Sequence, residues 1–289
     1  MTAAMTPTEK RQRLRAVLAG DRCVSPATVF DALSARIAEG EGFEFGILSG
    51  SVAAATLIAS PDLALHTLTE FAEQVRRITR VTDLSLFVDA DQGFGNALNA
   101  RRTVEELEHA GVAGMALEDL VMPASFGSGG KVELISVAEG VGKLKAALSA
   151  RSDPALVIVA RTAALKAETI DVVVERVKAY EAAGVDGIFL TALKKLEDLD
   201  AVRAAVNIPI VIGSAPTLKR EDLAARGVRF CLQGHMPVAG MVKALKFIYA
   251  HLHAGGLPSE LKARLATPEE MAEVLGEAKF GEWQESYLN

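Results

Sequence analysis

Asp89 and Asp91, one residue apart, close the apolar run 84–88 and lead straight into Gln92-Gly93-Phe94-Gly95-Asn96. A strand that finishes in two acids and then turns on glycines brings negative charge to one edge of a sheet. Hard divalent cations such as Mg²⁺ prefer oxygen ligands and keep several waters. One or two carboxylates with open space beside them therefore suit a catalytic Mg²⁺ that must also hold substrate. The same residues also fit an ordinary acidic strand-to-helix turn, and taken alone they do not separate the two readings.

The elements around them favour the first. Apolar segments at 23–28, 45–48, 84–89, 114–118, 155–161, 187–191, 208–212 and 229–232 read as strands. Helical patterns such as 103–110, 170–183 and 197–205 lie between them, several ending at a glycine that suits a left-handed C-cap: Ala110-Gly111, Ala183-Gly184 and Arg226-Gly227. Eight strands alternating with helices predict a closed (β/α)₈ TIM-type barrel. An open doubly wound sheet lacks its nucleotide-binding turn here, because Leu98 stands where a third glycine would follow Gly93-Phe94-Gly95. With no linker rich in Pro, Gly or Ser, residues 1–289 are expected to form one barrel domain, with 255–289 as a C-terminal helical tail. In that tail Thr267 is the expected N-cap and Pro268 the first helical residue of a stretch running to about 279. The tail either packs on a neighbouring subunit or covers the barrel base.

In such barrels chemistry gathers at the C-terminal strand ends. The second strand ends in Ser49-Gly50-Ser51, whose backbone N–H groups could cradle a carboxylate. Asp89 and Asp91 follow the third, Glu118-Asp119 the fourth, Arg161 the fifth, Thr191 the sixth, Gly213-Ser214 the seventh and His235 the eighth. Arg161 offers a planar fork that matches a substrate carboxylate bidentately. The acids would repel such a substrate unless a cation sat among them, and their mutual repulsion is the argument for metal. Each residue has a plainer reading. Arg161 could be an ion-pair partner of Glu118, Glu118-Asp119 a cap, Ser49-Gly50-Ser51 a tight turn, Asp62 a helix N-terminal residue and His235 a structural loop histidine. His66, His109, His251 and His253 fall on helical stretches as surface or packing residues.

The bulk properties set limits. Half the 289 residues are hydrophobic and 24% are charged, as in a globular chain. A net charge of −6 argues against nucleic acid as a partner. Cys23 and Cys231, far apart and outside any CxxC spacing, point to reduced thiols in a cytoplasm. The segment 1–15 has no apolar core of signal-peptide length, and no membrane-spanning run is present. An EF-hand loop from Asp89 fails at Phe94 and Ala100, and P-loop and GxSxG patterns are absent.

Taken together, Asp89-Ala90-Asp91-Gln92-Gly93-Phe94-Gly95-Asn96, Arg102-Thr103-Val104, Leu117-Glu118-Asp119, Ile47-Leu48-Ser49-Gly50-Ser51, Pro61-Asp62-Leu63 and Val159-Ala160-Arg161-Thr162 resemble the isocitrate lyase and phosphoenolpyruvate mutase superfamily. The resemblance spans residues 10 to 250. It implies a barrel that binds Mg²⁺, with Mn²⁺ as a substitute, and acts on 2-oxo acids or related carboxylates through enolate-like species. It also implies a homotetramer, a dimer of dimers that exchanges C-terminal helices. By position, Asp89 resembles the direct metal ligand, Asp62, Asp91 and Glu118 resemble holders of metal-bound water, and Arg161 and Ser51 resemble binders of substrate carboxylate.

The loop after the fourth strand distinguishes the branches. The lyases carry a Lys-(Lys/Arg)-Cys-Gly-His motif there, and the mutase and phosphonate hydrolases a lysine and an asparagine. This chain reads Met122-Pro123-Ala124-Ser125-Phe126-Gly127-Ser128-Gly129-Gly130-Lys131, with Ala124 and Phe126 at the latter two positions. Its Pro-Ala-x-Phe-Gly segment, Glu139-Gly140-Val141-Gly142-Lys143 and Gly234-His235 resemble the oxaloacetate decarboxylase branch. Ser49 and Gln92 depart from that branch, which usually has glycine and histidine there. A lost loop base suits decarboxylation, since retro-aldol cleavage must remove a hydroxyl proton and loss of CO₂ from a 2-oxo acid need not. The expected reaction is Mg-dependent conversion of oxaloacetate to pyruvate and CO₂ through a metal-stabilised enolate. Arg161 would bind the C1 carboxylate, Ser51 N–H would lie near the oxo group, and His235 would orient the departing carboxylate or relay the quenching proton. The alternatives are a C–C lyase or hydrolase on a substituted malate or 2-methylisocitrate-like acid, and a non-catalytic dicarboxylate-binding barrel.

Overall fold

Side chains alternate between the two faces of a strand, so a closed parallel sheet needs two apolar sets, one for its interior and one for its outer face. The computed structural model, which describes residues 4–288, supplies both. Residues 1–3 and 289, the ends of the expected domain, lie outside the described residues. The strands are β1 (Ala27–Thr28), β2 (Phe45–Leu48), β3 (Ser85–Asp89), β4 (Gly114–Glu118), β5 (Val157–Thr162), β6 (Gly187–Leu190), β7 (Ile210–Ile212) and β8 (Val228–Cys231). They pair in sequence order, all parallel. The expected first strand is shorter than 23–28, but Val24 still bridges Phe230. Its N–H donates to Arg229 O at 2.9 Å and its carbonyl accepts from Cys231 N–H at 3.0 Å, joining the last strand to the segment before the first.

The helices are α1 (Pro7–Ala19), α2 (Ala32–Gly40), α3 (Gly50–Ile58), α4 (Leu68–Thr79), α5 (Ala97–His109), α6 (Val137–Ala150), α7 (Ile170–Ala183), α8 (Leu196–Ala205), α9 (Arg220–Ala225), α10 (Met236–His253), α11 (Pro268–Leu275) and α12 (Glu277–Tyr287). The helix expected over 103–110 starts earlier because the Asn96 side chain accepts from Leu98 and Asn99 N–H. Between helices and strands lies the larger apolar layer, including Val88, Leu107, Met115, Ile158, Val177, Leu190 and Val202. The interior layer holds Ile47, Phe87, Ala116, Val159, Phe189, Val211 and Phe230.

The polar N-terminal stretch forms the floor. Thr6 and Glu9 make a reciprocal capping box and Pro7 sits in the first turn, starting α1. Leu14 and Leu18 then join the interior layer. Gly114 allows that approach, since a Cβ there would meet Leu14 Cδ2 at 2.8 Å and Val157 Cβ at 2.9 Å. Lys10 and Arg11 are 6% and 5% exposed. Their cost of burial is offset by bonds to main-chain carbonyls: Lys10 donates to Thr79 and Thr82, and Arg11 to Val112 and Glu108. Arg11 also pairs with Asp153 at 2.8 Å.

Beyond β8 the chain leaves the barrel surface. None of the 18 residues of α10 is buried, and Met236, Val242, Phe247, Tyr249 and Leu252 stand exposed along it. Thr267 caps α11 through a box with Glu270, as expected. The stretch expected to end near 279 instead breaks at Gly276, in a left-handed conformation, and resumes as α12 to Tyr287. Arg36 of α2 donates to Leu275 O at 2.8 Å and anchors the end of α11.

Leu14→Ala should lower stability by about 2–5 kcal/mol, the usual range for emptying a buried leucine site. Gln12→Ala, on the exposed side of the same helix, should shift it by no more than about 0.5 kcal/mol. Denaturant titration of both variants checks this, and equal losses would refute the floor-plug role.

Candidate active site

The parity that buries Phe87, Ala116 and Val159 carries the next inward positions, Asp89, Glu118 and Arg161, to the barrel mouth. Register places Glu118 directly beside Arg161 on the neighbouring strand. Arg161 Nη1 lies 2.5 Å from Asp89 Oδ2 and 2.8 Å from Glu118 Oε2, and its guanidinium stacks 5.5 Å from the Phe189 ring. The ion pair with Glu118 is thus present, and Asp89 shares it. Arg161 Nε and Asp89 Oδ1 are buried without hydrogen-bond partners. Each leaves one strong polar atom to be satisfied by something bound in the mouth.

Asp119 goes the other way. It accepts from Tyr180 Oη at 3.0 Å and Arg176 Nη1 at 3.3 Å, behind the strand. Asp91 lies beyond the end of β3 at φ 46°, and its carbonyl accepts from Glu118 N–H at 2.8 Å. Gly50 opens α3 with its backbone so close that a Cβ would stand 2.1 Å from Asp91 Oδ1. The small-residue turn is therefore required by the acid packed on it. Ser49 and Ser51 hydroxyls sit 3.2 Å apart beside it.

A cavity of about 210 Å³ has Ser49, Ser51, Asp62, Asp89, Arg161 and His235 among its lining residues, while Asp91 and Glu118 stand behind that lining. Asp62 lies in the loop between α3 and α4 and not at a helix start. His235 stands just ahead of α10, with Nδ1 3.4 Å from Thr28 Oγ1, which donates to Gly234 O at 3.0 Å. The loop 122–131 projects from β4, tied at its base by a Leu120–Leu134 bridge, with Phe126 fully exposed.

The electrostatics follow from burial first, and then from four acids around one cation. Burial, then Asp89 and Asp62, pushes Asp91 up to about 8. Burial raises Glu118 to about 7 against the pull of Arg161, with Asp89 adding to the rise. Partial desolvation and then Asp89 raise Asp62. Burial opposes the Arg161 cation, but Asp89 and Glu118 outweigh it and hold it charged. Burial lowers His235, so its imidazole is biased toward the neutral form.

Among the described residues no group of three His, Cys, Asp or Glu side chains forms a ready-made cage. The mouth instead offers an unpartnered Asp89 oxygen, further acids around it and an open cavity. That donor set fits a hard cation that keeps much of its water.

Two residues eluded the sequence as supports of the mouth. His66 is not on a helix but in the loop before α4, buried, with Nε2 3.5 Å from Asp91 Oδ2. The signal was present, since Thr67 and Glu70 form a capping box that puts His66 ahead of the first turn. Lys143 is the other, donating to Gln92 O at 2.8 Å beneath the Asp91 turn. His109, His251 and His253 do lie on helices, as expected.

The profile of the phosphoenolpyruvate phosphomutase family matches residues 14–253. An oxaloacetate decarboxylase of Bradyrhizobium sp. strain BTAi1 is 48% identical over 286 residues, covering 98% of this chain and 99% of the relative. One from Rhodopseudomonas palustris strain BisB18 is 50% identical over 270 residues, covering 92% and 93%. Among solved structures, a phosphonopyruvate hydrolase complex with oxalate and Mg²⁺ superposes with a TM-score of 0.87 at 29% identity, covering 99% of this chain and 100% of that one. An oxaloacetate acetylhydrolase bound to 3,3-difluorooxalacetate gives 0.85 at 26% identity, covering 98% of each chain. The chain belongs to the phosphoenolpyruvate phosphomutase family, within the isocitrate lyase and phosphoenolpyruvate mutase superfamily.

Proposed function

We propose that the protein is a carboxy-lyase that converts oxaloacetate to pyruvate and CO₂ with a divalent cation, Mg²⁺ or in its place Mn²⁺. The observation that carries the reading is the cavity itself: its lining joins Arg161, Asp89, Asp62 and His235 and takes no ionisable side chain from the loop 122–131. The near-full-length similarity to proteins named oxaloacetate decarboxylase supports the same substrate. Asp89 would hold the cation directly, and Asp62, Asp91 and Glu118 through water. When bound, the cation supplies Lewis-acid polarisation of the 2-oxo acid.

The chain's own groups do the rest. The free Arg161 Nε and the open side of its fork bind the C1 carboxylate. The Ser51 N–H, at the first turn of α3, lies toward the oxo group. The C3–C4 bond breaks, C4 leaves as CO₂, and its electron pair enters the pyruvate enolate. A proton delivered to C3 then completes pyruvate. His235 orients the departing carboxylate or relays that proton. No base has to act when the bond breaks, which fits a loop bearing Ala124 and Phe126.

The exposed apolar side chains of α10 and of the tail beyond it, among them Phe247, Leu265 and Phe280, support a homotetramer, a dimer of dimers whose subunits exchange their C-terminal helices. We place it in the cytoplasm with Cys23 and Cys231 reduced; no described helix is long and apolar enough to cross a membrane.

Oxaloacetate with Mg²⁺ should yield pyruvate above the uncatalysed metal background, with no oxalate. Asp89→Ala should cut kcat/KM by more than about 100-fold, beyond what loss of an outer-shell partner usually costs. His235→Ala should lower it by about 100-fold or more if the imidazole moves the proton. Oxalate as the main product would make the protein a hydrolase, and an unchanged His235→Ala would remove that residue from the site.

Raised acids bind more protons folded than unfolded. The stability they contribute is therefore present at low pH and is lost as pH rises toward 7 and 8, where Glu118 and Asp91 ionise. Thermal melting in chelator should accordingly drop between pH 5.5 and 8, less so in Glu118→Gln. Added Mg²⁺ should restore more at pH 8 than at pH 5.5, since ligands must be deprotonated. A metal effect that is equal at both pH values would contradict this account of the mouth.

Light scattering should give four times the mass of one chain. A monomer would dismiss helix exchange.

A further inference from the structure

Asp91 is held differently from the other acids of the mouth. Its Oδ1 rests against the backbone of Gly50, where a Cβ would intrude to 2.1 Å. Its Oδ2 lies 3.5 Å from His66 Nε2. His66 is 4% exposed, and both its ring nitrogens are buried without a hydrogen-bond partner. Phe71 and Phe94 fix the ring, with centroids at 5.6 and 5.7 Å, the second edge-on. Phe94 belongs to the Asp91 turn and His66 to the loop that carries Asp62, so this aromatic contact couples the two acidic loops. An imidazole sealed among phenyl rings loses its bonds to water and must regain one within the protein. Asp91 Oδ2 is an acceptor close to Nε2, and a short rotation converts the 3.5 Å contact into a hydrogen bond.

We propose that His66 is a positioning residue for Asp91: its Nε2–H donates to Oδ2 and clamps the carboxylate against Gly50. Outer partners of this kind orient the groups that hold a metal. The inference rests on reading Asp91 as one of the acids that hold the cation, and it assigns the orientation of that acid to a side chain outside the cavity lining.

Calorimetric titration with Mg²⁺ tests it on the full-length protein. His66→Leu should weaken Mg²⁺ binding about 10–100-fold. His66→Gln, which can bring an amide N–H to the place of Nε2, should recover most of it. The His66→Leu loss should vanish in an Asp91→Asn background, because neighbours in one network are not additive. Unchanged affinity in His66→Leu, or losses that simply add, overturns the proposal. If His66→Leu does not fold, the ¹⁵N imidazole signals of the wild type decide, assigned by their absence in His66→Gln. An Nε2-protonated ring whose signals move in Asp91→Asn supports the clamp; an Nδ1-protonated ring, or signals indifferent to Asp91, overturns it. If the wild type takes up no Mg²⁺, the metal reading falls, and these imidazole signals still settle His66 separately.

Discussion

The barrel mouth depends on one guanidinium. Arg161 bridges Asp89 and Glu118, which arrive on the two strands before its own, and without it these acids would face each other across a few ångströms of low dielectric. One positive charge does not balance Asp62, Asp89, Asp91 and Glu118, and burial, with that surplus added to it, holds three of the carboxyls toward their protonated forms. The site is thus electrostatically incomplete in the direction that a divalent cation corrects.

That imbalance can be held because the scaffold separates its duties by strand parity. Outward positions give the layer under the helices, and inward ones give the floor and then the mouth. Glu118 and Asp119 show the division at adjacent residues. The first meets Arg161 inside the barrel, while the second ties Arg176 and Tyr180 behind β4. Neutralising one of the two would therefore remove charge from only one side of the wall.

Much of this was legible in the sequence, for identifiable reasons. β2 and β4 match their apolar runs because Phe45–Leu48 and Gly114–Glu118 are buried on both faces, and continuous burial leaves a continuous signal. The strand-end acids were legible because strand ends and site ends coincide in this architecture. The first strand was less so: Pro26 lacks an N–H, and pairing survives on either side only as Val24 and Ala27–Thr28. The floor helix was hidden because its burial relies on Lys10 and Arg11, whose polarity speaks for solvent until their carbonyl partners are seen. His66 was hidden because a lone histidine suits a helix surface and a buried loop alike, and only the Thr67–Glu70 capping box sets it ahead of the helix. Gly50 read as part of an ordinary tight turn, because a close approach leaves no trace in one chain's residue types.

The floor helix also orders events in time. α1 is made before every strand of the barrel, yet Arg15 bonds the carbonyls of Ala155 and Leu156 and the carboxylate of Asp186, 140 to 171 positions downstream. Its docking surface cannot be complete until the sixth strand is being made. The nascent chain therefore carries α1 without its full set of partners until residues 155 to 186 are made, and closure of the base waits on them.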